Sequence, residues 1–345
     1  MRIRIVLACL VIASGAFSAD KRQEGAQEKN AFHCNSLIGR GVNLGNALEA
    51  PEEGKWGVRL EEEYFDLIAG AGFTSVRIPV RWSEHADVTA PYTIDNAFLA
   101  RVDWAIKQAL SRKLVAIVNI HHYEEIVKAP VEQKERFLAL WKQIADHYRD
   151  YPNTLYFELL NEPCKKLTNE LWNEYADEAI RLIRKSNPTR GIIVGPTSWN
   201  NISELKNLIL PRDDKNLIVT FHYYQPFKFT HQGASWVGRQ SNAWLGTTWT
   251  GTEKQRQDII SHLEQAIQWA NENQLPLFMG EFGAYGKADM ASRAKWTAFV
   301  RSEAEKRGIS WAYWEFCAGF GVYDSTQGKW RRELLNSLIP ENGTN

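Results

Sequence analysis

Short apolar runs alternate with longer amphipathic stretches eight times between residues 41 and 315, and this alternation limits the chain to very few folds. The runs are GVNLG (41–45), TSVRIPV (74–80), LVAIVNI (114–120), TLYFELL (154–160), GIIVG (191–195), LIVTFHY (217–223), PLFMGE (276–281) and ISWAYWE (309–315). Stretches such as 60–72, 98–113, 134–150 and 254–273 carry apolar residues at three- and four-residue spacing, the period of a helix with one buried face. Several close on Gly or Asn, as helix ends prefer. Regular β–α alternation implies a parallel sheet with helices outside it. Eight units in about 300 residues favour closure into a (β/α)8 TIM barrel of the α/β class, a single domain expected over 36–340, over an open sheet. No G-x-G-x-x-G follows the first run, which argues against a dinucleotide site.

The two ends read differently. Arg2 and Arg4 precede an apolar run from Ile5 to Ala13, and small residues follow at Ser14, Gly15, Ala16, Ser18 and Ala19. Charged, apolar and small regions in that order predict an export signal over 1–19, and hence a secreted protein, extracellular or periplasmic. The apolar run is too short to span a bilayer. Residues 20–35 begin with a charged stretch nearly free of large apolar groups, and a flexible lead-in is expected there. Removal of the signal would take Cys9 and leave Cys34, Cys164 and Cys317. An odd number forbids complete pairing and the spacing fits no zinc motif, so isolated thiols and one disulfide both stay open.

Lysine plus arginine equals aspartate plus glutamate at 41 each, so no net charge draws the chain to nucleic acid or an anionic membrane. The aromatic count is the compositional exception, with 14 Trp, 12 Tyr and 15 Phe. A rich core and a cleft that stacks rings on sugar faces would both use them.

Position decides more than number. Polar and ionisable residues collect at the C-terminal ends of the expected strands: Asn43 and Asn46, Arg77, His121 and His122, Asn161 and Glu162, His222, Tyr223 and Tyr224, Glu281, then Trp314 and Glu315. That rim is where α/β barrels build active sites. Glu162 and Glu281 end strands four and seven, which lie across a barrel from one another. A carboxylic acid and a carboxylate on either side of a glycosidic bond are what glycoside hydrolysis needs, and their separation sets retention or inversion. The adjacent histidines would point to opposite faces of a strand, no three-ligand zinc set is evident, and a two-carboxylate mechanism needs no metal or other cofactor. Glu158 shares parity with Glu162 and should also face inward, so it needs a cation; Arg77 and Arg81 are the candidates.

Seven segments together resemble glycoside hydrolase family 5, the cellulase family, over nearly the whole mature length: GVNLGNALE (41–49), VRIPVRW (76–82), VNIHHYEE (118–125), FELLNEP (157–163), FHYYQPF (221–227), GEFGAY (280–285) and AYWEF (312–316). GNALEAP (45–51) and FTHQGASW (229–236) add a narrower likeness to the Thermotoga-type endoglucanases, which act on β-1,4-glucans and also on mannans. The resemblance implies retention, with Glu162 as acid/base and Glu281 as nucleophile. It implies that Arg77 holds the nucleophile ionised, Asn161 grips the sugar 2-hydroxyl, His222 orients the acid/base and Tyr224 donates to the nucleophile or ring oxygen. His121 and Trp314 correspond to residues around the −1 sugar. Asn46, Glu49, His122, His231, Trp236 and Glu315 are expected as hydroxyl contacts and cleft walls; for Trp236, Trp244 and Trp249 plain loop packing is an equal alternative.

The expected activity is a monomeric endo-β-1,4-glucanase acting on β-linked polysaccharide or oligosaccharide. β-Mannanase, β-1,3-glucanase and exo-acting β-glucosidase use the same chemistry. A carbohydrate-binding barrel without catalysis is the rival from another class, and the presence of both glutamates counts against it.

Overall fold

The computed structural model describes residues 30–340. The expected export signal and lead-in residues 20–29 lie outside the described residues. Eight parallel strands close into a barrel in sequence order: β1 (Arg40–Asn43), β2 (Ser75–Ile78), β3 (Val115–Asn119), β4 (Leu155–Glu158), β5 (Ile192–Val194), β6 (Leu217–Tyr223), β7 (Leu277–Phe282) and β8 (Ser310–Tyr313). Each falls within or overlaps one of the eight apolar runs. Every strand residue except Arg40 is buried, because helices cover the outside and side chains fill the inside.

Outward-facing strand residues such as Val76, Val118, Phe157 and Val219 join one large core with helix residues Phe65, Ile106, Trp141 and Ile180. At roughly 1.5–3 kcal/mol for each large apolar side chain removed from water, this layer is the main source of stability. Trp82, Trp141, Trp172, Trp249, Trp296 and Trp311 are fully buried, so much of the tryptophan content serves packing. The helices also carry local signals. Thr252 and Gln255 form a reciprocal capping box at the start of Glu253–Asn273, satisfying backbone donors that a helix start leaves open.

Inside the barrel, Val115, Ile117, Tyr156, Ile193, Ile218, Phe278 and Ala312 form a second cluster with Ala31, Cys34 and Ile38. The latter three belong to a helix, Ala31–Ile38, capped by the Asn30 side chain. Its position is fixed by Ala31 N donating to Lys215 O (2.8 Å), Tyr156 Oη to Cys34 O (3.1 Å) and Ser310 Oγ to Asn35 Oδ1 (2.6 Å). This corrects the expectation of a flexible segment through residue 35 and of a domain starting at 36. Residues 31–35 close the N-terminal end of the barrel, because its inner apolar layer needs a cover there. Cys164 and Cys317 carry no disulfide. Among the described residues no helix is long and apolar enough to cross a membrane.

One irregularity matters for chemistry. Register runs Phe221↔Met279 and then His222↔Glu281, so β7 carries one extra residue against β6. It does so against β8 as well, between Met279 and Phe282. Counting by twos from inward Phe278 would put Glu281 outside. The bulge at Gly280 turns Glu281 to the same side as His222, as bulges re-aim side chains.

Candidate active site

Arg77 is the hub at the C-terminal mouth. Inward on β2 and fully buried, it donates from Nε to Glu158 Oε2 (2.6 Å) and from Nη2 to Glu158 Oε1 (2.7 Å). Nη2 also reaches Asn161 Oδ1 (2.7 Å), and Nη1 reaches Asn43 Oδ1 and Glu281 Oε1, both at 2.8 Å. The guanidinium therefore binds two carboxylates and two amides with all its hydrogen-bonding nitrogens engaged, which a buried cation requires. Of the two candidate partners for Glu158, the structure selects Arg77; Arg81 pairs with Glu84 instead. Asn43 is itself held by Nδ2 donating to Gly280 O at 3.0 Å, so it ties β1 and the bulge to the hub.

Glu281 accepts from Arg77 on Oε1 and from Tyr224 Oη on Oε2 (2.8 Å). Burial leaves its carboxyl raised overall; His222, Arg77 and the Tyr224 hydrogen bond pull it down, and the neighbouring Glu162 charge adds to the rise. Glu162 faces it from the loop after β4, with backbone in the left-handed region at φ 50°. Only neutral partners hydrogen-bond it: His222 Nδ1 lies 2.7 Å from Oε1. Burial, opposed by Arg77 and assisted by the charge on Glu158, raises its carboxyl to about 7. Its side chain keeps 27% exposure, so water reaches it. The charge-assisted partners Arg77 and Tyr224 favour the ionised form on Glu281, whereas Glu162 has no cation bonded to it and is the better holder of a shared proton. Like charges this close oppose double ionisation.

The remaining side chains form walls and supports. His121 is buried with Nδ1 3.1 Å from Asn119 Nδ2, and its ring stacks at 5.8 Å on Trp314. Burial drives its pKa well down, and His122 and His222 fall to about 4 for the same first reason, so all three imidazoles are neutral near pH 7. Opposite-facing histidines were expected from strand parity. Instead β3 ends at Asn119, His122 turns left-handed (φ 51°), and the two rings meet edge-on at 4.5 Å. His122 packs against Trp56 at 5.4 Å. His231 is buried, stacked on Phe227 at 4.1 Å and edge-on to Trp236 at 6.3 Å. Trp236 is 60% exposed, Trp244 packs edge-on to Phe227, and Trp249 is core.

Two expected hydroxyl contacts sit elsewhere. Glu49 is fully buried and accepts from the backbone N–H groups of Asn46 and Ala47. Glu315 is fully buried and accepts from those of Cys317, Ala318 and Phe320 at 2.7–3.0 Å. Both fasten loops beneath the cleft instead of lining it, and loop amides left without water need such acceptors. Burial lifts Glu49 to about 8 and Glu315 to about 7. Asn46, left-handed at φ 65°, lies on the first of these loops.

Asn43, already placed at the end of the first run, pairs in register with Arg77. Asn119 and Asn200 were not among the expected site residues. Asn119 has a readable signal, since it shares strand parity with His121. Asn200 has none. It follows β5 in a run of three left-handed residues, Ser198, Trp199 and Asn200, with φ of 56–62°. That conformation costs roughly 1–2 kcal/mol per ordinary residue, and such strain gathers where function over-determines the backbone. The run exposes Trp199 by 53% and turns Asn200 inward, Nδ2 lying 3.2 Å from His222 Nε2.

Glu162, His222 and Glu281 place potential ligand atoms within 4.8 Å of one another, the only such trio among the described residues. A cation there would stand against Arg77, which already neutralises Glu281, so the group fits proton transfer and attack by a carboxylate better than metal binding.

A closed α/β barrel with two opposed carboxylates at its C-terminal mouth is an arrangement shared with the barrel glycosidases. The chain belongs to the cellulase family, glycosyl hydrolase family 5, whose family model matches residues 37–319. It is 39% identical over 315 residues to Endoglucanase H of Acetivibrio thermocellus, covering 89% of this chain and 33% of that protein. The chain thus spans about a third of that curated relative. Among solved structures, endoglucanase Cel5A from Thermotoga maritima superposes with a TM-score of 0.88 at 54% identity, covering 90% of this chain and 100% of the other. The same enzyme in complex with mannotriose gives 0.88 at 53%, with the same coverage.

Proposed function

We propose that this chain is a retaining endo-β-1,4-glucanase. The observation that carries the reading is the carboxylate pair: oxygens of Glu162 and Glu281 within 4.8 Å, one partnered by a cation and a phenol, the other by a neutral imidazole. Retaining enzymes hold their carboxyl groups about 5–5.5 Å apart, whereas inverting ones leave roughly 6.5–9.5 Å for a water. In the first step Glu281 attacks the anomeric carbon as the bond to the leaving oxygen breaks, and Glu162 gives that oxygen its proton. In the second, Glu162 takes a proton from water, which attacks the same carbon and releases Glu281. Arg77 holds the nucleophile charged; Asn161, its Oδ1 fixed by Arg77, presents its amide N–H groups to the sugar.

Endo action is supported by the rim. Among the described residues the tryptophans classed as exposed are Trp56, Trp199 and Trp236, 40–60% exposed, on the loops after β1, β5 and β6. Flat apolar faces spread around one mouth suit a chain of sugar rings. A second reading, action on β-mannan as well, is favoured by the mannotriose complex of the 53% identical enzyme. The proposal includes export by residues 1–19 and action as a monomer without a cofactor. Product profiles on carboxymethylcellulose, glucomannan and laminarin, with proton NMR of the first-formed anomer, test it. Rapid loss of viscosity on the first two and initial β-anomer are expected; initial α-anomer, or activity confined to laminarin, overturns it.

A further inference from the structure

Asn200 is fully buried and reaches Glu162 only through His222. Its Nδ2 is 3.2 Å from His222 Nε2, and His222 Nδ1 is 2.7 Å from Glu162 Oε1. A carboxamide nitrogen only donates, so Nε2 is the acceptor. A neutral imidazole has one ring proton, and the partner of one nitrogen decides which nitrogen carries it. The proton therefore sits on Nδ1 and is donated to Glu162 Oε1. Oε2 makes no hydrogen bond among the described residues.

We propose that Asn200 is a positioning residue for acid catalysis, fixing the His222 tautomer so that Glu162 carries its acidic proton on Oε2, the oxygen that His222 does not engage. With Nδ1–H always pointing at Oε1, the proton cannot rest there. The same hydrogen bond serves the ionised carboxylate after transfer, so the ring need not change tautomer between the two steps. The proposal rests on the assignment of Glu162 as acid/base.

The surroundings are built for this contact. Gly195 leaves the room: a Cβ there would collide with the Asn200 amide. Asn200 Oδ1 is buried without a hydrogen-bond partner among the described residues, and Nδ2 makes the side-chain contact to His222. The left-handed backbone from Ser198 to Asn200 aims the side chain inward. Charged and titratable groups acting on His222 are Glu162, Glu281 at 3.5 Å, Arg77, Glu158 and His121. None of them contacts Nε2, which is left to Asn200.

Asn200→Asp keeps the shape but replaces the donor with an acceptor. The ring proton then moves to Nε2, so the acid proton is held on Oε1 against Nδ1; or the ring becomes doubly protonated and ionises Glu162. Both outcomes remove acid assistance. Asn200→Gly removes the donor while tolerating the left-handed backbone. The assay compares kcat/KM for dinitrophenyl β-cellobioside, whose leaving group needs little protonation, with that for cellotetraose, and records both pH profiles and melting temperatures. Asn200→Asp should lose about a hundredfold on cellotetraose, the low end of what general acid catalysis contributes, and less than fivefold on the activated substrate. Asn200→Gly should show the same bias with a smaller loss. Equal losses on the two substrates in both variants, or no loss in Asn200→Asp, overturn the proposal. Glu162→Ala is the control: if it lacks the leaving-group bias, the acid/base assignment itself fails; if it shows the bias and the Asn200 variants do not, only the role of Asn200 falls.

Discussion

Glu158→Gln isolates the buried ion pair beneath the site. Glu158 is wholly buried and receives two hydrogen bonds from Arg77, at 2.6 and 2.7 Å. The substitution removes a charge and sets an amide NH2 against a guanidinium N–H. Removing one member of a buried pair costs about 3–5 kcal/mol, because the other charge stays buried. Arg77 keeps Glu281, Asn43 and Asn161, so the low end, about 3 kcal/mol, applies. At roughly 2 °C per kcal/mol for a domain of this size, the melting temperature should drop by about 6 °C in calorimetry. Arg40→Gln is the control. Its pair with Glu305 is partly exposed at both ends, and such pairs contribute about 1 kcal/mol or less. The negative charge on Glu158 also helps raise the Glu162 carboxyl, so its loss should shift the basic limb of activity to lower pH. An unchanged melting temperature with a purely kinetic defect would refute the claim that the Arg77–Glu158 pair carries structural weight.

Two further outcomes bear on the carboxylate pair. Glu162 must be protonated in the free enzyme, and its carboxyl stands at about 7; kcat/KM should therefore fall tenfold per pH unit above about 7. In Glu162→Gln that limb should vanish, and its persistence would assign it to another group. Glu281→Ala should abolish hydrolysis and regain activity with azide, giving the α-glycosyl azide; substantial activity without azide would remove Glu281 from its role.

Much of the architecture was legible because its signals are local. Eight apolar runs mark eight strands, since burial on both faces leaves no polar alternation to blur them. The rim chemistry was legible too, because residues at the C-terminal ends of barrel strands share one surface whatever the loops do. Glu158 could be placed inward by parity, and its need for a cation followed from burial alone.

Other features depend on what lies across space. Strict alternation along β7 would turn Glu281 out of the barrel; the bulge against β6 and β8 turns it inward, and register with neighbouring strands is not written in β7 alone. The helix at Ala31–Ile38 looked like the end of a lead-in because its partners are barrel residues some 80–280 positions away. Glu49 and Glu315 looked like substrate contacts, being acids at strand ends, yet loop amides claim them. Asn200 gave no signal, since only the left-handed turn brings it to His222. The sequence by itself determined the barrel and its working face and put Glu162 and Glu281 at strand ends on that face, because periodicity and residue type act within a few positions. Only the tertiary structure decided which oxygen faces which donor, because hydrogen-bond geometry at the mouth is set by strands and loops from every part of the chain.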